Sequence, residues 1–71
     1  MLSVYDLNPD DIKITVDWGK MVINASVFIP CINTEKAVIQ CKAIFKKKRW
    51  GIEYRVMIQD GKLGVRVWRT T

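Results

Sequence analysis

The 71-residue sequence carries 12 Lys and Arg against 7 Asp and Glu, a net charge of +5, with 49% hydrophobic residues and no histidine. A chain of this length buries only about 60% of the surface its unfolded form exposes, so residues 1–71 are expected to form one small globular domain with a thin core. No run reaches the roughly 18 apolar residues of a bilayer span, since the apolar-rich stretch 21–32 is interrupted by Asn24, Ser26 and Pro30.

Residues 1–11 form a lead-in with a turn expected at Asn8-Pro9-Asp10, and Leu2, Val4 and Leu7 are candidates to pack against the domain. Asp6, Asp10 and Asp11 stand where a signal peptide would be apolar, which points to a cytoplasmic protein. Ile12, Ile14, Val16 and Trp18 alternate with Lys13, Thr15 and Asp17, the period of a strand. With Gly19-Lys20 as a two-residue turn, Met21 to Ile29 returns as a second strand, and Val16 faces Ile23, Ile14 faces Ala25 and Ile12 faces Val27 on one apolar side. Trp18 falls on that inward side and Phe28 on the outward one.

Pro30 ends the strand, because it has no N–H to donate. Asn33-Thr34-Glu35 then supplies a capping oxygen and a first-turn carboxylate for a helix. Ala37, Val38, Cys41, Ile44 and Phe45 lie within one arc at helical spacing, with Ile39 and Ala43 as misfits on the polar side. Lys48 would enter the apolar arc if the helix continued, so the helix is expected to stop there, closed by a left-handed Gly51. Beyond it, Ile52, Tyr54, Val56 and Ile58 alternate with Glu53, Arg55, Met57 and Gln59. Asp60-Gly61 signals a hairpin, and 62–69 returns with Ile58 facing Leu63, Val56 facing Val65 and Tyr54 facing Val67. The expected fold is therefore α+β with two layers, in the order β-β-α-β-β, one helix on an antiparallel four-stranded sheet.

The charge is uneven. Residues 1–35 hold two cations and five anions (−3), and residues 36–71 hold ten cations and two anions (+8). Such a basic half points to an anionic partner, either nucleic acid (DNA or RNA) or an acidic host protein. On the outward side of the last hairpin, Arg55 lies opposite Arg66 and Glu53 opposite Trp68. Two directly opposed arginines cost a few tenths to about 1 kcal/mol relative to a neutral pair. A phosphate between them would remove that cost, and Trp68 would offer a base a stacking surface. The structural alternative has Glu53 bridging diagonally to Arg66 while Arg55 splays into water and Trp68 covers the arginine stems.

Lys46, Lys47, Lys48 and Arg49 complement the helix dipole at the last turn without needing a ligand. Four in succession exceed what capping requires, however, and with Lys42 and Arg69 they extend the candidate set to a contiguous positive zone. Whether that run shares a face with Arg55, Arg66 and Trp68 decides between the two readings.

Catalysis finds no support: without histidine, general acid–base work falls on scattered carboxylates, and none of the four glycines builds a phosphate loop. Cys31 and Cys41 lack a partner base and are too few for a zinc site, so both are expected to be buried and reduced, with no metal and no cofactor. Asn24-Ala25-Ser26 matches a glycosylation pattern but falls inside an expected strand of a non-secreted chain.

The stretch WGIEYRVMIQDGKLGVRVWR resembles the closing hairpin of small bacteriophage-encoded accessory proteins, in which a basic helix end precedes a glycine, a strand, an Asp-Gly turn and a terminal RVWR. The resemblance covers residues 36–69 and implies an intracellular viral or mobile-element protein acting on nucleic acid or host machinery. It brings no functional residue with it. Together these readings give a small, basic, non-enzymatic nucleic-acid-binding module, with an inhibitor or adaptor docking on an acidic protein as the alternative. Either a monomer or a homodimer is compatible with the sequence, since the edge strands of so small a sheet invite pairing.

Overall fold

The computed structural model describes residues 6–71; Leu2 and Val4, expected to pack on the domain, lie outside them. The strands are β1 (Ser26–Pro30), β2 (Ile52–Gln59) and β3 (Lys62–Arg69), and one helix, α1 (Thr34–Lys48), packs on the sheet. The sheet is three-stranded and antiparallel in the order β1-β3-β2, with β3 in the centre.

The C-terminal hairpin adopts the register that its alternation and turn require. Ile58 pairs with Leu63, Val56 with Val65, Arg55 with Arg66 and Glu53 with Trp68. Asp60 and Gly61 have φ of 52° and 76°, the two positive values that a right-twisted two-residue hairpin turn demands. The helix also starts where expected: the Asn33 side chain accepts from the Lys36 N–H at 3.1 Å. Ala37, Cys41, Ile44 and Phe45 are buried along one stripe.

The four-stranded sheet is corrected to three, because the expected first hairpin does not form. Asp17 leads into a single 3-10 turn, Trp18–Lys20, and the pairs Val16–Ile23, Ile14–Ala25 and Ile12–Val27 are absent. Ile14 makes only an isolated bridge to Leu7, and Ile12, Val22 and Ile23 are exposed. The physical reason lies in coverage. A helix is about 10 Å across, the width of two strands spaced about 4.8 Å apart, so α1 closes the inner face of β2 and β3 and leaves β1 open. The irregular segment before β1 closes it instead, by burying Leu7, Trp18 and Met21. Trp18 is buried, as its inward place in the alternation suggested, but from the 3-10 turn, where it meets Phe45 edge-on at 5.7 Å.

The lead-in is fastened to the helix by polar contacts. The Asp10 carboxylate accepts from the N–H groups of Ile32 and Asn33, both at 2.8 Å. Gln40 and Asn8 exchange two hydrogen bonds, from Asn8 N–H to Gln40 Oε1 at 2.9 Å and from Gln40 Nε2 to Asn8 Oδ1 at 2.6 Å. These donors make Asp10 more acidic than an ordinary aspartate, the Asn33 N–H contributing most, then that of Ile32.

At the other helix end the expected Gly51 closure is replaced. Arg49 takes the left-handed conformation (φ 59°, ψ 38°), and Gly51 instead receives the close approach of Thr70 and Thr71. Trp50 follows, edge-on to Phe45 at 5.6 Å. Cys31 and Cys41 are buried and free. Burial pushes the Cys41 thiol up to about 12 and raises that of Cys31, so neither offers a thiolate near neutral pH.

Candidate functional site

Strand alternation divides the sheet into an inner face under the helix and an outer face over which no element of the described residues is laid. The outer face is assembled in rows by the pairing of β1 and β2 with β3. Phe28, Arg66 and Arg55 form one row, Ser26, Trp68 and Glu53 the next, and Pro30, Gly64 and Met57 the third. Arg55 and Arg66 are thus direct neighbours, as the hairpin register requires, with Trp68 one row away.

Arg66 is held by neutral groups. Its Nη1 donates to Ser26 Oγ at 2.8 Å, its Nη2 donates to Gln59 Oε1 at 2.5 Å, and the guanidinium lies 6.0 Å from the Phe28 ring centre. The diagonal Glu53–Arg66 bridge is not formed, and no carboxylate of the described residues lies within ion-pair distance of Arg55 or Arg66. Arg55 is exposed. The two arginines are therefore direct cross-strand neighbours, and neither has a carboxylate partner among the described residues. Phe28 lies across Gly64, where a Cβ would meet the Phe28 ring, the Ile29 carbonyl and Pro30. Its ring covers a glycine on the sheet, which is the reason for an aromatic there.

The remaining basic residues belong to the helix side. Lys46, Lys47 and Arg49 are exposed at the end of α1. Lys48 and Arg69 sit over Trp50, with the Lys48 Nζ 5.1 Å and the Arg69 guanidinium 4.0 Å from the ring centre. Arg69 is further fixed by Nη1 donating to Met21 O and Nε donating to Thr71 O, both at 2.9 Å. Lys42 lies over Tyr54 at 4.9 Å. The nine candidates therefore fall into two groups: Arg55, Arg66 and Trp68 on the outer face, and Lys42, Lys46, Lys47, Lys48, Arg49 and Arg69 in the helix layer or against it. Arg69 of the second group nevertheless lines one groove with Arg55 and Trp68 of the first.

This open groove of about 600 Å³ lies around the end of the sheet and is lined by Arg55, Trp68, Glu53, Asn24, Thr70 and Arg69 among others. Its volume falls in the range of small-ligand sites. The hairpin register made the arginine pair visible in advance. The pinning of Arg66 by Ser26 was not visible, because it depends on β1 pairing with β3 across 40 residues. The Trp50 cluster carried one overlooked signal: Phe45 and Trp50 flank a basic helix end, so that Trp50 can close back onto the core.

Among the described residues no group of His, Cys, Asp and Glu gathers as a metal-ligand set, and no helix is long and apolar enough to cross a membrane. No protein-family model, curated protein or solved structure matches the chain.

Proposed function

We propose that the outer sheet face binds single-stranded nucleic acid, with Arg55 and Arg66 holding backbone phosphate and Trp68 stacking on an adjacent base. The observation that carries this reading is the Arg55–Arg66 pair, opposed across two strands, with Arg66 bonded to neutral partners alone. Guanidinium forks suit phosphate geometry, and a phosphate between them replaces repulsion by two charge-assisted contacts. A stacked base adds about 1–3 kcal/mol with little sequence preference. The groove beyond Trp68 gives the strand a path toward Arg69. The cations at the helix end have a sufficient role at the helix dipole and on Trp50, and they take no part in this site.

Fluorescence anisotropy with labelled single-stranded DNA and RNA, across a salt series, tests the assignment. Arg55→Ala with Arg66→Ala is expected to weaken binding at least tenfold. It should also reduce the salt slope by about 0.7, the value for one phosphate neutralised on a single strand. Lys46→Ala with Lys47→Ala is expected to change affinity far less. Absence of binding at low salt, or an equal loss from the lysine pair, overturns the reading. A nuclease-resistant stoichiometric protein partner would favour the acidic-protein alternative.

A further inference from the structure

The two edges of the sheet differ in what they leave open. Gln59 and Lys62 flank a two-residue turn, so they form a hydrogen-bonded pair, and alternation gives the odd-numbered residues of β2 to β3. The Thr70 N–H to Gly51 O bond, at 3.0 Å, continues that pattern. The backbone groups of Ile52, Tyr54, Val56 and Ile58 consequently point away from the sheet along an eight-residue edge. The same residues carry side chains on the helix side, where Tyr54, Val56 and Ile58 remain 44%, 51% and 71% exposed. Beside them Ile39 of α1 is 67% exposed. A groove of about 360 Å³ between helix and strand is lined by Thr34, Glu35, Val38, Ile39, Tyr54 and Val56. Unpaired backbone and uncovered apolar side chains thus coincide on one edge, a combination that soluble monomers avoid.

We infer that this edge is the contact between two copies of the chain, joined β2 to β2 across a two-fold axis at Val56 into one six-stranded sheet. The occupant is a second copy because the edge is self-complementary in both apolar pattern and charge. With Val56 opposite its own counterpart, Tyr54 meets the partner's Ile58, and Ile58 the partner's Tyr54, so every exposed apolar residue of the strand is matched. On the outer face, Arg55 meets the partner's Met57 and Glu53 the partner's Gln59, with no like charges opposed. Moving the axis to Arg55 would set that arginine against its own copy beside the existing Arg55–Arg66 pair. Moving it to Tyr54 would carry Ile58 past the start of the partner strand at Ile52.

The helices agree with this register. Each lies over β2 and β3, so two strand spacings of about 4.8 Å place their axes about 10 Å apart, the distance of directly packed helices. Ile39, which lines the groove with Val56, comes to the axis. Glu35, one turn before it, meets Lys42, one turn after it, on the antiparallel partner helix, and the reciprocal pair forms by symmetry. The contact does not depend on nucleic-acid binding, although it merges two outer faces into one.

Sedimentation equilibrium of the wild-type chain in the high micromolar range, without nucleic acid, is the test, with circular dichroism to establish that each variant folds. The wild type is expected to be dimeric. Val56→Lys, at an exposed position, should stay folded and become monomeric. Glu35→Lys should raise the dimer dissociation constant about tenfold, and adding Lys42→Glu to it should restore the wild-type value, because reversing both ends recreates the inter-copy pairs. A Val56→Cys chain should form a covalent dimer on mild oxidation, since hydrogen-bonded partners stand about 5.5 Å apart, within disulfide reach. A monomeric wild type, a dimer indifferent to Val56→Lys, or a charge reversal without rescue would each overturn the inference.

Discussion

The two faces of this sheet are built on opposite terms. The inner face is closed by Leu7, Trp18, Met21, Ala37, Cys41, Ile44 and Phe45 against Ile29, Val65 and Val67, all buried, while no charged or polar residue among those described is buried. The outer face keeps two arginines, a half-buried tryptophan and a phenylalanine lying across a glycine. A domain of this size has too little interior to bury functional groups, so stability concentrates on one side and chemistry is left to the other. The difference implies that stability and ligand binding separate by face, and substitutions should divide the same way.

The largest effect is expected at Phe45, which is 1% exposed and takes edge-on contacts from Trp18 and Trp50 on either side. It is the residue through which the irregular cover, the helix and the chain after the helix meet. Phe45→Ala should cost about 3–5 kcal/mol, read as a lowered urea midpoint, because the cavity is walled by two large rings that cannot both collapse into it. Since small domains have only about 5–15 kcal/mol of stability, a partly unfolded population at ambient temperature is the expected result. A loss below about 1 kcal/mol would mean that the faces are not so divided.

The same cluster explains what could be read from the sequence and what could not. The C-terminal hairpin was legible residue by residue, since Asp60-Gly61 fixes the turn and the alternation fixes which side is apolar; both signals are local. The helix start was legible for the same reason, through Asn33. Ile12, Ile14, Val16 and Trp18 alternate as convincingly, yet Trp18 takes its place against Phe45, 27 residues away, and no local pattern competes with that burial. Position in the sheet was equally hidden. β1 lies next to β3 through a long-range pairing that no local pattern near Ser26 announces. At the site, the Arg55–Arg66 pair followed from the hairpin. The separation of Lys46–Arg49 from it required knowing which layer the helix end occupies.

A second, intermediate effect concerns the lead-in, which carries three of the seven acidic residues of the chain. Asp10 accepts from the Ile32 and Asn33 N–H groups and is thereby more acidic in the folded state than in the unfolded chain. A carboxylate depressed in this way adds stability at pH values above its unfolded pKa, about 3.9, and loses that contribution as pH falls through its lower folded value. Unfolding midpoints should therefore drop as acid is added below about pH 4, and Asp10→Asn should be less stable at neutral pH with a shallower acid dependence. Equal acid sensitivity of the two proteins would place the linkage elsewhere.

The smallest effect on stability, and the sharpest contrast between the faces, is expected at Arg55. Its side chain is exposed and opposes Arg66, whose own bonds to Ser26 and Gln59 do not involve it. Arg55→Ala should change stability by no more than about 0.5 kcal/mol, and in the stabilising direction at low salt, because it removes a like-charge neighbour. Added salt screens that repulsion, so the wild type should gain on the variant as ionic strength rises, and their midpoints should converge. The same substitution should weaken nucleic-acid binding by several-fold and flatten its salt dependence. A residue whose removal is neutral or favourable to folding but unfavourable to binding is held in place for its ligand. If Arg55→Ala instead destabilised the fold at every salt concentration, the pair would be part of the scaffold, and the outer face would lose its distinction from the inner one.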